Sequence, residues 1–143
     1  MFARIARLPA PLLRVVFVVW YGALWCLSSV EGHKIAFRPF ELFDKVEHFS
    51  YFTAGGAILG AMLGASGRWP RRWWAIPAAI SLLGGIDEWY QQFTPGRSAL
   101  DPWDWTADTL GGVAGWFLAS LVEKCRPLPV PAGRASVSEA AQV

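Results

Sequence analysis

The sequence predicts an all-α protein that crosses a membrane as a four-helix bundle, with both termini in the cytoplasm. Of its 143 residues, 54% are hydrophobic and 17% are charged, whereas an ordinary soluble domain has about 25% charged residues. Four apolar stretches approach the roughly 20 residues that cross a ~30 Å hydrocarbon layer. The net charge of +2 is too small for a nucleic-acid-binding surface. The composition also argues against a soluble enzyme.

The four predicted spans cover residues 12–30, 45–64, 73–93 and 104–122, within a transmembrane domain of residues 1–125. Arg4, Arg7 and Arg14 lie before or at the start of the first span, which is also typical of a cleavable signal peptide. Its run ends in the large residues Trp25 and Leu27, whereas a cleavage site needs small ones. We therefore interpret it as a span. Residues 126–143 are rich in Pro, Ala, Gly and Ser, which predicts a disordered cytoplasmic tail.

The orientation follows from the Lys and Arg residues near the spans. Nine of the 13 fall on the side of the N-terminus, namely Arg4, Arg7, Arg14, Arg68, Arg71, Arg72, Lys124, Arg126 and Arg134. The other four are Lys34, Arg38, Lys45 and Arg97. Since the more basic side stays in the cytoplasm, the sequence predicts a multi-pass protein with both termini inside.

Small residues recur at every fourth position in two of the spans. The second span carries Gly56, Gly60 and Gly64, and the fourth carries Gly111 and Gly115. This spacing places each set on one helix face, and small residues let helices in lipid approach closely. The stripes predict helix packing, either within one chain or in a homodimer.

The acidic residues are concentrated on the outer side. Nine of the 11 lie in outer loops or the outer half of a span, although acidic residues contribute little to topology. Asp87 and Glu88 would reach about 9 Å into the outer leaflet, where a carboxylate costs several kcal/mol unless it is paired, protonated or hydrated. We therefore predict an outward-facing polar cluster formed by Asp44, Lys45, His48, Asp87, Glu88, Gln91, Arg97, Asp104 and Asp108.

This polar cluster has two interpretations. It is either a functional site or a hydrogen-bond network that specifies helix packing. The candidate metal ligands are His48, Asp87, Glu88, Asp104 and Asp108, an oxygen-rich set that suits Mg²⁺, Ca²⁺ or Mn²⁺. Arg97 follows the turn signal Pro95-Gly96, and we expect it to fold back and pair with Asp104 or Asp87.

Three segments resemble the VanZ-like family of small bacterial membrane proteins. The second span opens with D-K-x-x-H-F at Asp44, the third ends with D-E-x-x-Q-x-F-x-P-G-R at Asp87, and the fourth opens with D-x-x-x-D-x-x-G at Asp104. The resemblance covers residues 43–115. The family pattern has Asn where this chain has Asp108, so the site here is more acidic or Asp108 is protonated.

The resemblance implies a four-helix protein of the bacterial cytoplasmic membrane, in a family named for a link to teicoplanin resistance and without a settled reaction. Three functions stay open. The first is an envelope factor that binds a lipid-linked cell-wall component or an anionic lipid. The second is a metal-dependent membrane enzyme acting on a phosphate or glycan headgroup, by metal-assisted or carboxylate acid–base hydrolysis or transfer. The third is a small proton-coupled transporter.

Overall fold

The computed structural model describes residues 1–31, 42–97 and 100–126. In these ranges the chain is helical and contains no strand, so the all-α prediction is confirmed for the described residues. The five helices are α1 (Phe2–Ile5), α2 (Ala10–Ser28), α3 (Phe43–Ala65), α4 (Ala75–Gln91) and α5 (Pro102–Lys124). The predicted disordered tail lies outside the described residues beyond Arg126.

The four long helices lie over the four apolar stretches, and their ends differ from the predicted ones by at most two residues. Local residues explain several of these ends. Pro11 lies in the first turn of α2 and Pro102 in the first turn of α5, where the missing N–H costs nothing. The chain leaves α3 through Gly67, whose φ of +67° suits glycine. The short helix α1 was not predicted.

Successive long helices run in opposite directions, so α2 is parallel to α4 and α3 is parallel to α5. The largest contact is between α3 and α5, and the predicted glycine stripes meet there. A Cβ on Gly115 would lie 2.5 Å from Thr53 O, and one on Gly56 would lie 3.1 Å from Gly112 O. The two backbones therefore approach more closely than any side chain would allow.

Aromatic and aliphatic side chains of α2, α3 and α4 pack in the middle of the bundle. The buried members of this core are Trp20, Leu24, Phe52, Ile76 and Ile80. Two hydrogen bonds join α2 to α3 here. Trp20 Nε1 donates to Tyr51 O (3.2 Å), and Tyr51 Oη donates to Trp20 O (2.6 Å). The reciprocal pair fixes the rotation of α2 against α3.

Among the described residues, α2 is the one helix whose length and hydropathy would allow it to cross a membrane. It lies near the N-terminus and is mostly exposed. Helix α4 has 17 residues, and α3 and α5 begin with charged residues that lower their hydropathy. The predicted four-span arrangement therefore stays a prediction.

Candidate functional site

The nine residues of the predicted polar cluster lie at one end of the bundle, where α2 and α4 end and α3 and α5 begin. Four of its carboxylates are buried. Their exposed fractions are 4% for Asp87, 2% for Glu88, 4% for Asp104 and 0% for Asp108. Because buried charges need partners, the donors around each carboxylate show which of its oxygens are satisfied within the protein.

Lys45, in the first turn of α3, joins that helix to the start of α5. Its Nζ donates to Asp101 Oδ2 (2.8 Å) and Asp104 Oδ1 (2.5 Å) and lies 3.6 Å from Asp44 Oδ2. The hydrogen bond from Lys45 lowers the pKa of the Asp101 carboxyl group. Lys45 is therefore committed to these carboxylates.

Asp101 is a member of the site that sequence reasoning missed. Besides its bond to Lys45, its Oδ1 accepts from the backbone N–H of Trp103 (2.8 Å) and caps α5. Asp followed by Pro is a recognised helix-start signal, so the cap was detectable. The bond to Lys45 was not, because it depends on how α3 and α5 are rotated.

His48 and Asp108 meet across the closely packed pair α3 and α5. His48 Nδ1 lies 2.9 Å from Asp108 Oδ1, and the imidazole stacks on Phe52 with ring centroids 6.3 Å apart. The second oxygen of Asp108, Oδ2, is buried and has no hydrogen-bond partner. Asp108 is thus only half satisfied.

Glu88 reaches the same place from the end of α4. Its Oε2 accepts from the backbone N–H of Asp101 (2.9 Å), while Oε1 is buried without a partner. His48, Glu88 and Asp108 each offer one possible metal-ligand atom, and these three atoms lie within 4.8 Å of one another. Three of the five predicted metal candidates are therefore brought together.

Asp87 belongs to a different hydrogen-bond group. Ser28 Oγ, from the end of α2, donates to Asp87 Oδ1, and Gln91 Nε2 donates to Asp87 Oδ2 (2.9 Å). Thr94 Oγ1 in turn donates to Ser28 O (3.0 Å). Ser28 and Thr94 were not predicted, because a hydroxyl at the end of an apolar stretch is ordinary.

The expected ion pair of Arg97 with Asp104 or Asp87 is not formed. Asp104 bonds to Lys45 instead, and Asp87 is satisfied by Ser28 and Gln91. No carboxylate of the described residues makes an ion pair with Arg97, and its Nε is buried without a hydrogen-bond partner.

A cavity of about 580 Å³ opens beside the polar cluster, between α2, α3 and α4. Leu24, Leu27 and Phe52 form part of its apolar wall. Its polar lining includes Glu47, His48, Asp87, Gln91 and Arg97. Such a cavity suits an amphiphile whose polar end meets Arg97 and whose apolar part follows α2 and α3.

The polar cluster therefore contains two chemically distinct parts. One is the Arg97 guanidinium in the lining of an amphipathic cavity, and the other is a buried group of one imidazole and two half-satisfied carboxylates. Compared with known proteins, the chain matches no family model, no curated protein and no solved structure.

Proposed function

We propose that this chain is a VanZ-like protein of the bacterial cytoplasmic membrane, crosses the membrane four times with both termini inside, and binds an anionic lipid headgroup at the outer leaflet. The observation that carries the proposal is the amphipathic cavity whose polar lining includes Arg97.

The distribution of polarity supports a lipid environment. Val15, Val18 and Val19 on α2 are 60–68% exposed, and Phe117 on α5 is 56% exposed, while four carboxylates are buried. A soluble monomer rarely exposes a continuous apolar surface of this kind. In a bilayer the same surface contacts acyl chains, and burial of the polar groups avoids their cost in hydrocarbon.

The two ends of the bundle support the orientation. The end opposite the polar cluster carries the arginines of the α3–α4 connection and the residues that follow α5. There Arg126 Nη1 donates to Ala6 O (2.9 Å), which joins the N-terminal segment to the end of α5. Both described termini therefore lie on the basic end, which the positive-inside rule assigns to the cytoplasm.

Arg97 supports an anionic ligand. Its guanidinium is a fork of donors that matches phosphate and carboxylate, and its Nε has no hydrogen-bond partner. Asp87, which lines the same cavity, is already satisfied by Ser28 and Gln91. The apolar wall from α2 would accommodate the start of a lipid chain, so a phospholipid or a polyprenyl phosphate fits both parts.

The lipid test uses the full chain purified in mild detergent and native mass spectrometry. Phosphatidylglycerol or a polyprenyl phosphate should bind at least tenfold more tightly than phosphatidylcholine. Arg97→Gln should abolish that preference, while Arg68→Gln, an exposed arginine at the basic end, should keep it. Equal binding of all three lipids, or a preference that survives Arg97→Gln, would refute the proposed ligand.

The orientation is tested by labelling single cysteines in intact cells with an impermeant maleimide. The two cysteines of the chain are Cys26 and Cys125. In a Cys26→Ser background, Cys125 should react only after the cells are opened. Trp103→Cys, in a chain without Cys26 and Cys125, should react in intact cells. The opposite pattern would overturn the topology.

A metal-dependent enzyme acting on the same headgroup is the second candidate. It is favoured because His48 both lines the cavity and contacts Asp108. Release of phosphate or of the headgroup from a bound lipid, dependent on Mn²⁺ and lost in His48→Ala, would distinguish an enzyme from a binding protein. A bound lipid that stays intact under these conditions would exclude the enzyme.

A further inference from the structure

Three side chains from three different helices meet in the buried part of the polar cluster. His48 comes from α3, Glu88 from α4 and Asp108 from α5, and one possible ligand atom of each lies within 4.8 Å of the others. Glu88 is 2% and Asp108 is 0% exposed. The fold therefore concentrates two carboxylates and an imidazole where water has little access.

Each carboxylate has one committed oxygen and one oxygen without a hydrogen-bond partner. Glu88 Oε2 accepts from Asp101 N (2.9 Å), and Asp108 Oδ1 contacts His48 Nδ1 (2.9 Å). Glu88 Oε1 and Asp108 Oδ2 are buried and unpartnered. A buried oxygen without a partner loses its solvation at a cost of about 1–3 kcal/mol, and more when it is charged. A positively charged partner would satisfy these two oxygens.

The nearby cations do not supply that partner. Lys45 donates to Asp101 and Asp104, and Arg97 makes no ion pair with a carboxylate of the described residues. A protonated His48 would bring one positive charge against two carboxylates. A divalent cation would both supply the charge and use the two oxygens that have no partner.

We propose that His48, Glu88 and Asp108 bind one divalent cation, and that Asp87 and Asp104 do not ligate it. Asp87 is satisfied by Ser28 and Gln91, and Asp104 by Lys45. The site does not depend on the proposed lipid, since Glu88 and Asp108 carry it whether or not Arg97 binds a headgroup.

The ligand set favours Mn²⁺. Imidazole is a poor ligand for Ca²⁺ and Mg²⁺, which prefer oxygen, whereas two carboxylates suit Mn²⁺. Zn²⁺ favours sites richer in nitrogen or sulfur ligands, whereas two of the three ligands here are carboxylates and water would complete the coordination.

The test measures Mn²⁺ binding to the full chain, purified in mild detergent and stripped with EDTA. Loss of the electron paramagnetic resonance signal of aqueous Mn²⁺ should show one bound ion per chain. Asp108→Asn, which installs the residue of the family pattern, and Glu88→Gln should each weaken binding at least tenfold. Glu123→Gln removes a carboxylate paired with Arg126 at the other end of α5 and should leave binding unchanged.

A second readout needs no variant. Mn²⁺ should raise the Tm of the wild-type chain, because an ion that binds only the folded state stabilises it. Absence of both Mn²⁺ binding and a Tm shift in the wild type would overturn the proposal and indicate that the two carboxylates share a proton. Binding that is unchanged in a Glu88→Gln/Asp108→Asn double variant would also overturn it. Neither result bears on the lipid binding measured by native mass spectrometry, so the two proposals fail separately.

Discussion

Gly115 is the position where a single methyl group should most disturb the α3–α5 contact. A Cβ there would lie 2.5 Å from Thr53 O, 2.7 Å from Ala57 N and 2.7 Å from Gly56 Cα. All three atoms belong to the backbone of α3, so no side-chain rotation can relieve the overlap. Gly115→Ala therefore has to push α5 away from α3.

The size of the effect follows from these distances. Carbon contacts are most favourable at about 3.5–4.0 Å, so the helices must separate locally by about 1 Å. Overpacking of this kind costs about 1–3 kcal/mol, and the gain in helix propensity from Gly to Ala returns up to about 1 kcal/mol. We expect a net loss of about 1–2 kcal/mol, which corresponds to a fall in Tm of roughly 4–8 °C.

The assay is thermal unfolding of the purified chain, with Gly22→Ala as the matched control. A Cβ on Gly22 meets nothing within 4 Å, so this variant should unfold at or slightly above the wild-type temperature. If Gly115→Ala unfolds within about 1 °C of Gly22→Ala, the backbones of α3 and α5 are not in close contact at Gly115.

Three further predictions concern the polar contacts. Arg126→Lys should lower the free energy of unfolding by about 1–2 kcal/mol, because lysine cannot reproduce the guanidinium fork of donors. That fork donates to Ala6 O (2.9 Å), Ala61 O (3.3 Å) and Glu123 Oε2 (2.8 Å). Amide hydrogen exchange at residues 3–7 should rise in Arg126→Lys and should not rise in the control Lys124→Gln. Ser28→Ala should lower the free energy of unfolding by about 1–3 kcal/mol, because it leaves Asp87 Oδ1 without its donor. The control Ser120→Ala removes a hydroxyl that bonds only within its own helix and should lower it by less than about 1 kcal/mol. Equal losses of stability in the two variants would contradict the role of Ser28. The lowered pKa of Asp101 stabilises the fold above its unfolded pKa of about 3.9, and this contribution is lost as the pH falls through the folded value. The Tm difference between wild type and Asp101→Asn, which keeps a good N-cap, should therefore be present at pH 7 and shrink below about pH 4; a difference independent of pH would refute the ion pair with Lys45.

Helix positions were accessible from the sequence because hydropathy changes sharply at their ends. Residues 45–64 and 104–122 were predicted, and α3 and α5 extend at most two residues beyond them. The meeting of His48, Glu88 and Asp108 could also be predicted, because three helices carry acidic or imidazole groups at the same depth along the bundle. The depth of each residue follows from its position in the sequence and the rise per residue of an α-helix.

The individual pairings were not accessible, because they depend on helix rotation and on distances shorter than one turn. Arg97 was expected to pair with Asp104 or Asp87, but Lys45 bonds to Asp104 at 2.5 Å and Gln91 bonds to Asp87 at 2.9 Å. Ser28 carries no sequence signal that marks it as the partner of Asp87. A composition that places many acids at one level therefore predicts a cluster but not which cation each acid receives.

The glycine stripes and the proposed cation site occupy the same faces of the same two helices. On α3, His48 precedes Gly56 by eight residues, and on α5, Asp108 precedes Gly111 by three, so each pair lies on one side of its helix. A Cβ on Gly111 would lie 2.6 Å from Phe49 O, one residue beyond His48. The close backbone approach that glycine permits therefore extends to the site, and it is what brings His48 Nδ1 to 2.9 Å from a fully buried Asp108. If the helices were separated by ordinary side chains, the imidazole and the carboxylate would be too far apart to share one ion. The packing stripe is thus part of the proposed site, and Gly111→Ala should weaken Mn²⁺ binding even though it changes no ligand.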